Sequence, residues 1–410
     1  MNYTKKQLGQ YIDVLSGFAF KSKDFTNVGI PVIKIKNINP PYVSLEDISC
    51  VPISVAYQNP KYILKRGDVL IAMTGSHINQ IASVVGRVGR VRYDNLTVLN
   101  QRVGKIINKN DEYSNLDYIY YFLSQYDVKV ELAQKAGGAA NQANISPSDI
   151  KNLYFPCPPI EIQNKIATIL SRYDSLIENY QKQIKLLEES AQRLYKEWFI
   201  NLRFPGHENT KIVDGVPEGW EKKKLGDVSK TTSGGTPSRT NNSFYSGSIM
   251  WAKTKELCDG FIFNTEEKIT EEAIKKSSAK IVPAGSILMA MYGATIGKLG
   301  IATKDLTCNQ ACCVFLISED NPLRWYIFNW LLQNRNFLIS QGKGAAQPNL
   351  SQDMIKGFEL IIPDDKSLRG YHLLINPIYL NIKSLQSQIC QLTEARNRLL
   401  PKLMNGEIEV

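Results

Sequence analysis

At 410 residues, with 43% hydrophobic and 21% charged, the chain has the composition of a folded protein with room for two or three cores, which excludes a disordered or fibrous chain. No stretch reaches the ~18 apolar residues that a membrane-spanning helix needs, and the opening Met1–Gln7 leads into no apolar signal region. Seven cysteines without a C-x-x-C spacing and three scattered histidines (His77, His207, His372) argue against a zinc site and for reduced thiols in a cytoplasmic protein, while the net charge of +10 suits a polyanionic partner.

In chain order, the first elements are Leu8-Gly9-Gln10-Tyr11-Ile12-Asp13-Val14 and then Ser16-Gly17. The alternation in Val32-Ile33-Lys34-Ile35-Lys36 predicts a half-buried strand with Lys34 and Lys36 side by side on its wet face. A turn, a strand and a second turn follow over Lys65–Gly75. The polar loop after it offers Thr74, Ser76, His77, Asn79 and Gln80. Arg87, Arg90 and Arg92 predict a short basic strand of alternating exposure, and Asn100-Gln101-Arg102 a turn. An aromatic-rich helix is expected over Leu116–Ala133, then the loop Gly137–Ser146.

From there a long helix carries apolar residues at heptad spacing: Ile162, Ile166, Ile169, Tyr173, Leu176, Tyr180, Ile184, Leu187, Ala191, Leu194 and Trp198. Two consecutive steps of four across Tyr180 predict a stutter in the supercoil. Gly and Pro punctuation from Pro205 to Gly219 marks a hinge.

The chain then begins again. Leu225-Gly226-Asp227-Val228 and Ser233-Gly234 repeat the opening, and Trp251-Ala252-Lys253-Thr254-Lys255 repeats the lysine strand. Pro283–Gly293 repeats the turn, strand and turn, with Tyr292, Thr295 and Lys298 in its loop, and Asn309-Gln310 repeats Asn100-Gln101. A second aromatic helix is expected over Leu323–Ile339, and Gly342–Ser351 repeats Gly137–Ser146 at an offset of 205. That offset persists into a second heptad series: Leu368, Tyr371, Ile375, Ile378, Ile382, Leu385, Ile389, Leu392, Arg396, Leu399 and Leu403. Pro377 should kink this helix, or mark its true start with Asn376 as the cap.

The period is far longer than the ~20–50 residues of a solenoid repeat. The expected fold is therefore α+β: two similar mixed, β-rich domains separated by two long antiparallel coiled-coil helices, a pseudo-two-fold internal repeat. Its parts are a first domain at 1–158, a first helix at 159–203, a linker at 204–219, a second domain at 220–363 and a second helix at 364–410. Ile166, Ile169, Tyr173, Leu176, Ile184, Leu187, Leu194, Ile382, Leu385, Ile389, Leu392 and Leu399 are the expected packing residues between the helices.

Several motifs together carry a resemblance. They are the Leu-Gly and Ser-Gly openings, the strands Gly67-Asp68-Val69-Leu70-Ile71 and Gly285-Ser286-Ile287-Leu288-Met289, and the closing loops through Asn144-Ile145-Ser146 and Asn349-Leu350-Ser351. To these add Pro158-Pro159-Ile160-Glu161-Ile162-Gln163 at the start of the first helix. The chain resembles, over essentially its whole length, the specificity subunit of type I restriction–modification systems. At the second helix it departs from the pattern, with Pro363-Asp364-Asp365-Lys366-Ser367-Leu368.

The resemblance implies a non-catalytic, cytoplasmic subunit with two target recognition domains, each reading half of an asymmetric, interrupted site in double-stranded DNA. It implies docking of two methyltransferase subunits and of restriction/translocase subunits. S-adenosylmethionine, ATP and Mg²⁺ would belong to those partners, with no cofactor or metal in this chain. Candidate DNA contacts are Lys34, Lys36, Thr74, Ser76, His77, Asn79, Gln80, Arg87, Arg90, Arg92, Gln101 and Arg102 in the first domain. In the second they are Lys253, Lys255, Tyr292, Thr295, Lys298 and Gln310. Asn and Gln favour adenine edges, Arg and Lys guanine edges or phosphate. The repeated Gln142, Asn144, Gln347 and Asn349 suit a shared structural loop or phosphate contact, because readers of different half-sites should differ where they read.

A competing motif is Asn39-Pro40-Pro41-Tyr42, which matches the catalytic tetrapeptide of adenine-N6 methyltransferases. Such a tetrapeptide follows a buried apolar strand, whereas here lysines alternate through the segment before it. The glycines of Ser233-Gly234-Gly235-Thr236, a possible cofactor loop, are already accounted for by the repeat. Lys222-Lys223-Lys224 reads as a solvated run, and Trp198, Trp220, Trp325 and Trp330 as core or partner interface. Three functions are thus in play: a DNA-specificity subunit, a self-sufficient adenine methyltransferase, and a coiled-coil scaffold that binds no DNA.

Overall fold

The computed structural model describes residues 3–75, 84–137, 143–342 and 349–410. The chain divides into two units, one of Met1–Ile177 with Leu392–Val410, the other of Glu178–Gln391.

The apolar runs after the two glycine turns become the strands Val69–Ala72 and Ile287–Ala290, with all four residues of each buried. A strand covered on both faces needs an unbroken run rather than alternation. One topology surrounds each. Val69–Ala72 lies between the antiparallel strands Val103–Asn108 and Val88–Arg90, with Ile12–Ser16 beyond the first and Tyr42–Val43 joining the second in parallel. Ile287–Ala290 lies between Cys312–Phe315 and Leu299–Ala302, with Thr231–Ser233 beyond the first and Gly260–Ile262 parallel to the second. Each unit is mixed and β-rich, in keeping with the α+β class.

The lysine strands end earlier than their alternation predicts. They are Ile30–Ile33 and Ile249–Ala252, and short 3-10 turns follow at Ile35–Asn37 and Thr254–Glu256. Lys34 and Lys253 are the caps of those turns. The Lys34 amide donates to Asn37 Oδ1 at 3.0 Å and the Lys253 amide to Glu256 Oε2 at 2.6 Å. A polar side chain three residues on thus captures the backbone and turns it out of the sheet.

Gly17 and Gly234 are required by close approach. A methyl group on either would stand 2.1 Å from a carbonyl oxygen, that of Asn100 or of Cys308. Gly17→Ala and Gly234→Ala should each cost about 1–3 kcal/mol by overpacking. Denaturant unfolding is the check, and wild-type midpoints would contradict it.

The aromatic helices are each broken in two, into Leu116–Leu123 and Tyr126–Lys135, and into Leu323–Gln333 and Arg335–Ser340. At each break a side chain bonds the carbonyl four residues back: Ser124 Oγ to Tyr120 at 2.7 Å and Asn334 Nδ2 to Trp330 at 2.9 Å. Such bonds compete with the helix ladder.

The long helices are Ile160–Tyr195, continued by a π turn over Lys196–Ile200, and Asp365–Met404. Asp364 caps the second, accepting from the Ser367 amide at 2.8 Å. The helix runs on through Pro377, and Asn376 is no cap: its Oδ1 accepts from Trp325 Nε1 at 2.8 Å. Within each unit the helices pack antiparallel. In the first, Asp174 meets Arg396, and Ile166 and Leu170 share a core with Leu403. In the second, Trp198 lies against Gly370 and Glu188 beside Tyr379.

The observed seam corrects the predicted one. Gln163, Ala167, Leu170, Asp174, Ile177, Ile184, Ala191, Tyr195 and Trp198 are buried at continuous heptad spacing, with no stutter at Tyr180. Leu176 is exposed, Tyr173 only half-buried, and Ile169, Leu187 and Leu194 pack at the flanks. Two polar residues, Gln163 and Asp174, sit in the seam, where an apolar heptad does not show them. In the second helix Ile382 and Leu385 are buried, Ile389 and Leu399 pack partly, Leu392 is half-buried, and Tyr379 rather than Ile378 is the buried neighbour.

Candidate nucleic-acid interface

Three repeat-matched motifs, distant in sequence, meet in each unit. The Asn100 amide donates to the Ile33 carbonyl at 3.1 Å, beside Lys34, and the Phe18 amide donates to Leu99 at 2.9 Å. In the second unit the Asn309 amide donates to Ala252 at 2.9 Å, beside Lys253, and the Gly235 amide to Cys308 at 2.9 Å. The Ser-Gly opening, the end of the lysine strand and the Asn-Gln turn therefore form one cluster, made twice on one backbone plan.

Its side chains differ between units. Lys34 Nζ donates to Ser49 Oγ at 2.9 Å and stands 4.1 Å from the Phe25 ring centroid, while Lys36 ion-pairs with Asp47. Burial, then the neighbouring Lys36 charge, hold the Lys34 ammonium below its ordinary range, opposed by Asp47. In the second unit carboxylates occupy the same position. Lys253 lies 3.1 Å from Glu266 and 3.3 Å from Glu267, and Lys255 pairs with Glu266. Arg239 grips Glu267 through both nitrogens, at 3.1 and 2.8 Å, with its guanidinium 4.1 Å from the Tyr245 ring centroid. Hydrogen bonds from Lys255 and then Lys253 hold the Glu266 carboxyl below the usual carboxylate range. Arg239, Tyr245, Glu266 and Glu267 carried no signal in the sequence, because only the fold brings them to Lys253.

Gln101 and Arg102 are exposed on the turn, and Gln310 is exposed while accepting from Thr236. Tyr292 is exposed and Thr295 half-buried. Lys298 belongs to the loop base: its Nζ donates to Asp259 at 2.8 Å, and Arg335 also holds Asp259.

Several candidates are engaged within the fold. Thr74 is buried and donates to Asn144 Oδ1 at 2.8 Å, which makes the repeated Asn144 a structural tie. Val88–Arg90 shows no alternation, since all three residues are buried. Arg90 pairs with Asp117 at 2.7 Å over the Tyr120 ring, and Arg92 lies 3.7 Å from the buried Asp174. Arg87 is half-buried near Lys129. Ser76, His77, Asn79, Gln80, Gln142 and Gln347 lie outside the described residues.

Asn39-Pro40-Pro41-Tyr42 is the turn of a small hairpin in which Asn39 pairs with Tyr42. The Pro41 carbonyl accepts from the Arg90 amide at 3.1 Å and from Tyr120 Oη at 3.2 Å. Both acceptor sites of that oxygen are thereby committed to the fold. A methyl on Gly234 or Gly235 would meet backbone at 2.1 or 2.3 Å, so those glycines serve packing. Lys222 and Lys223 pair with Glu359 and Glu221 on an exposed strand, and the four tryptophans are core. Among the described residues no helix is long and apolar enough to cross a membrane.

Of the two cap lysines and their neighbours Lys36 and Lys255, Lys34 alone has a neutral side-chain partner. If these surfaces meet DNA, Lys34→Gln should lower the slope of log K against log salt by about 0.9, one phosphate contact. Lys255→Gln, whose charge Glu266 offsets, should leave it unchanged. Titration binding over a salt series is the check, and equal effects of the two would contradict the assignment.

Together these features define a duplicated α+β protein that presents one repeat-matched polar cluster per unit. Residues 1–189 and 217–367 match the family model described as the type I restriction modification DNA specificity domain. The chain belongs to that family, the specificity subunits of type I restriction–modification systems. It is 31% identical over 317 residues to the specificity subunit of the type I restriction enzyme MjaIX of Methanocaldococcus jannaschii, covering 76% of this chain and 73% of the relative. The EcoR124I/EcoR124II specificity subunit of Escherichia coli is 26% identical over 263 residues, covering 62% and 60%. The crystal structure of a type I system S subunit from M. genitalium shares the fold, with a TM-score of 0.60 at 15% identity over 98% of this chain and 96% of that one.

Proposed function

We propose that this chain is the non-catalytic DNA-specificity subunit of a cytoplasmic type I restriction–modification complex. Its regions 1–158 and 220–363 each read one half of a bipartite, asymmetric site, and helices 159–203 and 364–410 hold the readers and dock two methyltransferase subunits and the restriction/translocase subunits. S-adenosylmethionine, ATP and Mg²⁺ act on those partners. The observation that carries this reading is the cluster built twice on one backbone plan with different side chains, Lys34-Ser49-Phe25 in one unit and Lys253-Glu266-Glu267-Arg239 in the other. A shared frame with divergent chemistry is what two readers of unlike half-sites need, as in other two-part DNA readers.

Calorimetric titration of the isolated chain with S-adenosylmethionine separates this from the self-sufficient methyltransferase. No binding is expected. Saturable binding, with methyl transfer lost in Asn39→Ala, would support the enzyme instead. A scaffold without DNA function would show no salt-dependent affinity for duplex DNA.

A further inference from the structure

The first unit holds a polar hub inside the helix seam. Asp174 has a side chain 1% exposed, and Arg396 Nη1 lies 2.6 Å from its Oδ1. Tyr121 Oη donates to its Oδ2 at 2.7 Å, and Arg92 stands at 3.7 Å. Burial, then the Asp174 charge, push the Tyr121 hydroxyl well above its ordinary range, which keeps it a donor.

The second unit builds the same place without an ion pair, with Glu188 beside it. The offset of 205 carries Asp174 to Tyr379 and Arg396 to Ala191, both buried. Tyr379 stacks on Trp325 with centroids 4.0 Å apart and donates to Asn329 Oδ1 at 2.9 Å. The fold at this position therefore does not require an ion pair, and its presence in one unit calls for another reason.

We propose that Asp174 and Arg396 form a pairing key that selects the first helix for the second and rejects pairing of either helix with its own copy on another chain. The inference does not depend on which DNA the protein reads. The two helices are repeats with matching seams, so the antiparallel register that places Asp174 against Arg396 is also open to two first helices from separate chains. There Asp174 would face Ala191 and keep only Arg92, at 3.7 Å, in place of the 2.6 Å contact to Arg396. Two second helices would place Arg396 against Tyr379, a largely covered cation with no carboxylate. Each like pairing deprives one charge of its close partner, and only the unlike pairing supplies both. During synthesis the first helix exists before Arg396 has been made, when pairing with a second nascent copy is the competing outcome.

The test uses the full chain, unfolded in denaturant and refolded over a range of concentrations, with mass distribution read by light scattering. Asp174→Tyr with Arg396→Ala gives the first unit the residues of the second and removes the penalty on like pairing. It should raise the dimer fraction over wild type by roughly tenfold or more at matched concentration. Asp174→Asn keeps the side-chain shape and an acceptor for Tyr121 while removing the charge, and should shift the fraction in the same direction. It decides the matter should the double variant fail to refold. A wild-type dimer fraction in refolded Asp174→Asn, or in the refolded double variant, would overturn the key.

Discussion

Asp174→Ala should destabilise the first unit by about 3–5 kcal/mol, because it leaves Arg396, its side chain only 14% exposed, with no carboxylate and the Tyr121 hydroxyl with no acceptor. The same principle predicts a contrast. Replacing the hub by apolar residues (Asp174→Leu, Arg396→Leu and Tyr121→Phe together) should recover much of the loss, since of the hub's polar groups only Arg92, its side chain 20% exposed, then remains. The protein offers a clean readout. Its five tryptophans, Trp198, Trp220, Trp251, Trp325 and Trp330, all lie within Glu178–Gln391. In Asp174→Ala the circular-dichroism transition should acquire an early phase in denaturant that tryptophan fluorescence does not follow. Coincident transitions at the wild-type midpoint would contradict this account of the hub.

Exchanging residues 1–155 for those of a family member with another specificity should replace one half-site completely and leave the other half and the spacer length as they were. The frame permits the exchange. Gly17, the Asn100 turn and the Ile33 carbonyl hold the first cluster as Gly234, the Asn309 turn and the Ala252 carbonyl hold the second. Different side chains can therefore be mounted without moving the backbone. The boundary falls before Pro158-Pro159, so Gln163 and its bond to the Pro158 carbonyl at 2.9 Å stay with the recipient. A change in both half-sites, or in neither, would count against a division of reading between the domains.

What the sequence disclosed was what repeats or what is apolar. The two strands Val69–Ala72 and Ile287–Ala290 were legible because burial on both faces demands a run that no loop carries. The helices were legible because heptads persist over many turns. Legibility failed where a polar side chain did something unusual. Asn37 and Glu256 stop the lysine strands by capturing the amides of Lys34 and Lys253, a local competition that alternation does not register. Gln163 and Asp174 occupy seam positions because their partners come from elsewhere in the chain: the Asn115 amide, Arg396 and Tyr121. Searching for apolar residues alone moved the seam by one position and created a stutter. The continuity of the second helix through Pro377 was equally hidden, because the contacts that support it, such as Trp325 on Asn376, are tertiary.

At the candidate interface the motifs were visible and their roles were not. The segments that carry Lys34 and Gln101, and those that carry Lys253 and Gln310, are joined through their backbones in matched clusters, whereas Arg90 and Thr74 are consumed by the fold. A charged or hydroxyl side chain looks the same in sequence whether its partner is DNA or a buried aspartate.

The most direct measurement is the methylome of cells producing this chain with its methyltransferase partner. The account predicts adenine methylation confined to a motif of two specified parts separated by a fixed unspecified spacer. A continuous motif, or none in an assembly known to be active, would contradict it.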